Sequence, residues 1–363
     1  MQRLKRAGFR GDFVSKALLP DWWDDSASED SDLIQELEIR VARFLNIALA
    51  TVKDPTAWLG TPGYAGAQLR RVRDLSRDQL RPAIHSAIRI ASAVARNLSD
   101  VGALVRVPPG DPSAWRQSFQ RSSSAITLKD VTLDLWNRGI PVVPLEVLPA
   151  PSFQGMACIV EGRPVILLGY KHDEPSRAAF IIAHETQHIV AGDCGVDEPV
   201  VDEEDEIADT SDIEVRADAY ARQVLVGDVS LPIPKVGNFK ELARRASEFE
   251  RGTGADASTV VFAWARETGD YATATMAVKA LYRASGARRQ LQRIFEERVN
   301  VAGASETDRP PRPSHGFWEN DGGRGISGGD LRIAEAPGTN RFGTRLLLQI
   351  PMYHGSSAFA SSF

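Results

Sequence analysis

Cysteine is nearly absent from this 363-residue chain, where only Cys158 and Cys194 occur. Two thiols cannot build a disulfide framework, and a structural zinc site made of cysteines alone needs more of them. Such scarcity fits a reducing, intracellular setting. Long apolar runs are missing too. The longest, at residues 180–183 and 140–147, fall far short of the ~20 residues that a bilayer requires. The opening MQRLKRAGFRGDF has basic residues with no apolar stretch behind them, so it does not read as a secretory signal. The expectation is a cytoplasmic protein with no membrane part. No excess of positive charge exists either: 43 Lys and Arg stand against 48 Asp and Glu, for a net charge of -5. That balance removes the case for wholesale nucleic-acid binding and leaves open only a local basic patch. No internal repeat of solenoid period is present.

What is present is helical at both ends. In 1–60, Leu33, Ile34, Leu37, Val41, Phe44 and Leu45 recur at three- and four-residue spacing and give one apolar face. The SASEDSD stretch before them supplies N-cap and acidic first-turn residues. Trp22 and Trp23 read as packing anchors in a turn. A linker and a long helix fill 61–124. TPGYAGA at 61–67 is a glycine-rich break, and 76–98 is one helix with Ile84, Ile88, Ala91 and Ala95 on its buried stripe. His85 beside that stripe reads as a packed or solvated bystander. VPPGDP at 107–112 is a second break.

The texture changes over 125–228. A helix capped by Thr127 is predicted at 127–137, followed by short strands at 140–148, 156–160 and 164–169. Glu161-Gly162 looks like a hairpin turn. A helix at 176–191 is closed by Gly192-Asp193. Residues 196–212 carry nine acidic side chains and read as an exposed loop before another helix at 213–226. A helical module occupies 229–300, with helices at 239–250, 257–268, 271–285 and 287–300. The last segment, 301–363, is rich in Gly, Pro, Ser and Arg and reads as a disordered tail. Within it, 346–355 could form a strand, but nothing nearby pairs with it convincingly.

Residues 181–193 read IIAHETQHIVAGD, an H-E-x-x-H within an apolar helix. Residues four apart on a helix lie one above the other, so His184 and His188 present their imidazoles to one point. Glu185 is one residue round and falls beside that point, where a carboxylate can take a proton from water. The apolar flanks should bury the helix and fix ligand geometry. A catalytic zinc takes three protein ligands and leaves one position open. The assigned third ligand is Glu214, in IEVRADAYARQVL, where Ala217 and Ala221 keep the surface small and let the two helices approach. Asp218, one turn on, suits the carboxylate that accepts the far N–H of a ligand histidine. Glu206, Asp209 and Asp212 are rival ligands that read better as a solvated loop, and His172 reads as a residue of the cleft rim. Tyr220 should face away. The strand at 164–169 could be an edge strand, and such an edge would bind an extended peptide by strand addition. These residues together read as a Zn2+-dependent endopeptidase.

The order GIPVVPLEV, a hairpin with Gly155 and Pro164, FIIAHETQHIVAGD and EVRADAYARQVL resembles the ImmA/IrrE family of bacterial and phage metallopeptidases. The likeness covers about 125–227, under a third of the chain. It implies an α+β zincin-like core, here flanked by helical N- and C-terminal modules. It implies a cytoplasmic regulator that cleaves or otherwise inactivates a helix-turn-helix repressor. Residue by residue, it puts the metal histidines on His184 and His188, the catalytic Glu on Glu185 and the downstream ligand on Glu214. Members often have a small residue where this chain has Gln187. They often carry an N-terminal helix-turn-helix domain, and 1–60 is helical enough to be one. Asp21, Asp24, Asp25, Glu29, Asp30 and Asp32 would repel phosphates, so DNA contact would need the face with Arg40, Arg43 and Lys53 and is not favoured. The alternative reading is a non-proteolytic zinc-binding sensor or regulator in a toxin–antitoxin or phage-control system. Retention of Glu185 favours the enzyme.

Overall fold

Turn chemistry builds the sheet. Glu161 and Gly162 both take positive φ, 51° and 70°, as a two-residue type I′ hairpin requires. They join β3 (Gly155–Val160) to β4 (Arg163–Gly169), paired antiparallel from Val160↔Arg163 to Gly155↔Leu168. On the far side of β4 lies β2 (Val142–Leu145), in parallel register. A computed structural model describes residues 2–19, 23–60, 68–69, 77–98, 104–119, 125–169, 172–195, 200–202, 212–227, 233–234, 236–281, 283 and 285–299. The linker 61–67, Trp22 and the tail 301–363 lie outside them.

Two short strands extend the sheet beyond β3. β5 (Val200–Asp202) pairs antiparallel with β3 over Gly155–Ala157, and β1 (Gln68–Leu69) runs parallel to β5. The order is β1-β5-β3-β4-β2, which corrects two expectations. Residues 164–169 are not an edge, because β4 is paired on both sides. The acidic run 196–212 is not wholly an exposed loop, because its β-branched Val200-Val201 pair satisfies backbone groups that β3 would otherwise leave open.

Almost every residue of β3 and β4 is buried. Successive side chains point to opposite faces, so both faces are covered, which is why these strands read as apolar runs without alternation. The covering helices include α5 (Arg77–Asn97) and α8 (Pro175–Ala191). Before the sheet, α7 (Leu128–Asn137) starts at a capping box between Thr127 and Asp130. A helix the sequence did not announce, α6 (Pro112–Phe119), anchors the fully buried Trp115. The Trp115 indole N–H donates to Asp134 Oδ2 at 2.8 Å, and its ring stacks on Tyr220 of α9 (Asp212–Leu225).

The C-terminal helices are α10 (Phe239–Thr253), α11 (Ala257–Thr268), α12 (Tyr271–Ala280) and α13 (Ala287–Arg298). Their apolar faces join the same core as α7, α8, α9 and the sheet. Asp173, just before α8, caps α13 by accepting from Gly286 N and Arg288 N at 2.8 and 2.7 Å. The segment that starts the H-E-x-x-H helix is thereby tied to the last helix.

The N-terminal residues form a second apolar cluster. It uses α1 (Gln2–Arg6), α2 (Gly11–Phe13), a π turn at Val14–Leu18, α3 (Ser31–Leu45) and α4 (Leu49–Lys53), with a 3-10 turn at Asp25–Glu29 beside them. Val41 and Leu45 are buried as the spacing predicts, whereas Ile34 is 38% exposed. The stripe Ile84, Ile88, Ala91 and Ala95 of α5 is buried, and His85 with it. His85 Nε2 lies 2.7 Å from the Phe44 carbonyl oxygen, which joins α5 to α3.

Burial, against a partly compensating bond to Phe44, lowers the His85 pKa from 6.5 to about 4. Between those values the unfolded chain binds a proton that the folded chain refuses. Stability therefore rises with pH through this window and falls as pH drops from about 6.5 to about 4. The full shift corresponds to roughly 3 kcal/mol. Urea unfolding at pH 7 and pH 4.5 should show a smaller acid loss in His85→Gln than in the parent; equal losses would remove His85 from the acid response.

Among the described residues, no helix is long and apolar enough to cross a membrane.

Candidate metal centre

The centre is assembled by two adjacent helices. Phe180, Ile181, Ile182 and Ile189 keep α8 apolar around its motif, and His184, Glu185 and His188 are all at most 1% exposed. Helix α9 packs against α8 through Ala217 and Ala221, both fully buried. Glu214, one turn before Ala217 and Asp218, is thereby placed beside the two imidazoles. His184 Nε2 lies 3.0 Å from Glu214 Oε2, His188 Nε2 lies 3.5 Å from Glu214 Oε1, and the two Nε2 atoms are 3.2 Å apart. Among the described residues, these three are the group of His, Cys, Asp or Glu that could hold a metal ion.

The opposite ring nitrogens are held by carboxylates. His184 Nδ1 is 2.8 Å from Asp218 Oδ1, and His188 Nδ1 is 3.1 Å from Asp193 Oδ2. A carboxylate only accepts, so each Nδ1 donates its proton there, which would leave each Nε2 as the ligand atom once an ion is bound. The two Nε2 atoms and the Glu214 carboxylate converge in a buried space. Burial holds the His188 pKa below its ordinary value, against the raising effect of Glu214 and Asp193. The size of the space suits an ion. Ligands ~2.0–2.1 Å from a tetrahedral centre lie ~3.3 Å from one another; the two Nε2 atoms, 3.2 Å apart, are near that separation, and the Glu214 carboxylate faces them with Oε2 3.0 Å from His184 and Oε1 3.5 Å from His188.

Glu185 is beside this cluster and outside it. Its side chain rests on Gly155 of β3: a Cβ there would sit 2.6 Å from Ile181 Cγ2 and closer still to Glu185 Oε1. Glycine at 155 thus makes room for the carboxylate. Gly155→Ala should displace Glu185 and cost about 1–3 kcal/mol by overpacking. Calorimetry would show the loss, and zinc content should stay near the parent's because the atoms nearest a Cβ at 155 belong to Glu185 and Ile181 and not to the three converging residues. A variant with unchanged melting would mean that Glu185 does not need this gap.

Of the rival ligands, Asp212 is exposed at the start of α9, and His172 is 3.9 Å from Glu174 Oε2 and lies outside the cluster. Glu206 and Asp209 fall outside the described residues. Tyr220 faces away, as expected, donating to the Pro109 carbonyl at 2.7 Å. Buried Gln187 is accommodated on α8 without parting the helices.

Sequence reasoning found Asp218 and missed Asp193. Gly192 takes a left-handed φ of 74°, and Asp193 N donates to His188 O at 2.9 Å. This closing turn folds the next side chain back over the last turn of the helix, where His188 stands. Each Asp also meets an arginine. Arg266 of α11 bonds Asp218 Oδ2, and Arg216 Nη2 lies 3.5 Å from Asp193 Oδ1.

No family model and no curated protein matches the chain.

Proposed function

We propose that this chain is a zinc-dependent endopeptidase of the H-E-x-x-H type, with a zincin-like core. His184, His188 and Glu214 would hold the ion. The observation that carries the reading is a buried Glu185 next to a cluster whose three donor atoms fit one divalent ion. Nitrogen and carboxylate ligands without thiolate suit zinc, among other ions. Bound zinc would supply Lewis acidity to a water and to a peptide carbonyl.

The chain's own groups then have defined tasks. The Glu185 carboxylate accepts the proton of the attacking water and delivers it to the departing amine. Asp218 and Asp193 keep the two Nδ1 atoms protonated and the rings in register. Gly155 admits Glu185 to its position under β3. The substrate we propose is a protein, of the helix-turn-helix repressor type that the family resemblance implies.

One observation favours the second reading, a zinc-binding sensor without proteolysis. β5 already pairs with β3 at Gly155–Ala157, over Glu185. An extended peptide could not add to that stretch of β3 while β5 is there.

The test is to load the full chain with zinc and incubate it with a repressor encoded beside it, with and without a chelator. Chelator-sensitive cleavage supports the peptidase. Zinc binding in a stoichiometric amount with an intact repressor supports the sensor. No zinc binding removes both.

A further inference from the structure

We infer that Arg266, on α11, is a positioning residue of the metal centre, holding Asp218 and through it the ring of His184. The inference rests on the reading that His184, His188 and Glu214 hold an ion. Asp218 divides its carboxylate between two tasks: Oδ1 faces His184 Nδ1 at 2.8 Å, and Oδ2 accepts from Arg266 Nη2. With one oxygen pinned by a guanidinium, the other cannot rotate away from the imidazole.

Arg266 is itself held from a second side. Its Cζ lies 4.9 Å from the centroid of Phe180, and Phe180 is one turn before His184 on α8. A planar guanidinium can stack on a ring and bond a carboxylate at once, which an ammonium does poorly. The side chain is about one-third exposed (31%), and the Asp218 side chain 22%. The contact therefore lies at the margin of the site, where α11 of the C-terminal helices meets α8 and α9.

The other histidine has a looser version of the same chain. Arg216 is 3.5 Å from Asp193 and 52% exposed, and it comes from α9 itself. Arg222 of α9, paired with Glu267 at 3.3 Å, serves as a control of the same charge.

Loss of an outer carboxylate partner of a metal-bound histidine typically weakens metal binding about 10–100-fold. Arg266 acts one bond further out, and about tenfold is expected. The experiment is zinc titration of the full chain against a chromophoric chelator, with melting of the metal-free protein recorded alongside. Arg266→Ala should bind zinc about tenfold more weakly, Arg266→Lys should recover part of that, and Arg222→Ala should stay within about twofold of the parent. In an Asp218→Asn background, Arg266→Ala should add almost nothing, because its effect passes through Asp218. Should Arg266→Ala fail to fold, Arg266→Met, which keeps a stem over Phe180 and drops the charge, carries the same expectation. Parental zinc affinity in the Ala or Met variant would overturn the inference while leaving the metal centre intact. So would a fall in metal-free melting temperature with affinity unchanged, or full additivity with Asp218→Asn. A parent protein that binds no zinc would overturn the metal centre itself.

Discussion

Glu185→Gln should keep its zinc and lose its turnover, by about 10²–10⁴-fold, the usual contribution of a positioned general base. The two halves of that result have separate physical causes. Glu185 lies one residue round the helix from His184, so its oxygens are not among the three donor atoms that converge. An amide of nearly the same shape fits the same space on Gly155 without new crowding. It cannot take a proton from water at neutral pH, so the basicity goes together with the negative charge while the shape stays. Metal analysis of the purified variant, with cleavage kinetics on the repressor, reads both halves. Turnover at the parent's rate would take Glu185 out of the chemistry. Loss of zinc would mean that Glu185 is a ligand or that its charge holds the site together.

His188→Ala should have the largest effect on binding. Structural zinc sites release ~10–16 kcal/mol on binding. Shared over three or four ligands this is roughly 3–4 kcal/mol each, or about 10²–10³-fold in affinity. The remaining pair, His184 and Glu214, can satisfy each other as an imidazolium and a carboxylate at 3.0 Å, which further disfavours the ion. Equilibrium dialysis against buffered zinc should therefore show His188→Ala reaching half-occupancy at about 10²–10³-fold higher free zinc than the parent. Binding by His188→Ala at the parent's affinity would place the ion elsewhere.

The readable part of this site was the part carried by local repetition. His184 and His188 sit on one helical turn each, so their convergence follows from spacing alone. Glu214 and Asp218 were legible for the same reason, because Ala217 and Ala221 announced a close helix–helix contact. Asp193 was hidden because a Gly-Asp pair after a helix ordinarily means only a stop, and its side chain folds back through a turn. Arg266 was beyond reach. It lies 48 positions from Asp218, and nothing local in ASTVVFAWARET marks its partner. The sheet shows the same division. β2, β3, β4 and the Glu161-Gly162 turn were visible as apolar runs with punctuation. β5 was not, because two valines inside an acidic run read as loop until a strand with unpaired backbone groups is beside them. Calling 164–169 an edge failed for a related cause: strand order is set by non-local pairing, which a run of Val, Ile and Leu does not reveal.

X-ray absorption at the zinc edge of the loaded full chain tests the central claim most directly. Two imidazole nitrogens and a carboxylate oxygen on one ion should give a first shell of nitrogen and oxygen at about 2.0–2.1 Å with no sulfur. The signal should collapse in Glu214→Ala. A sulfur shell near 2.3 Å would mean that Cys158 or Cys194 binds the metal, and it would contradict the centre described above.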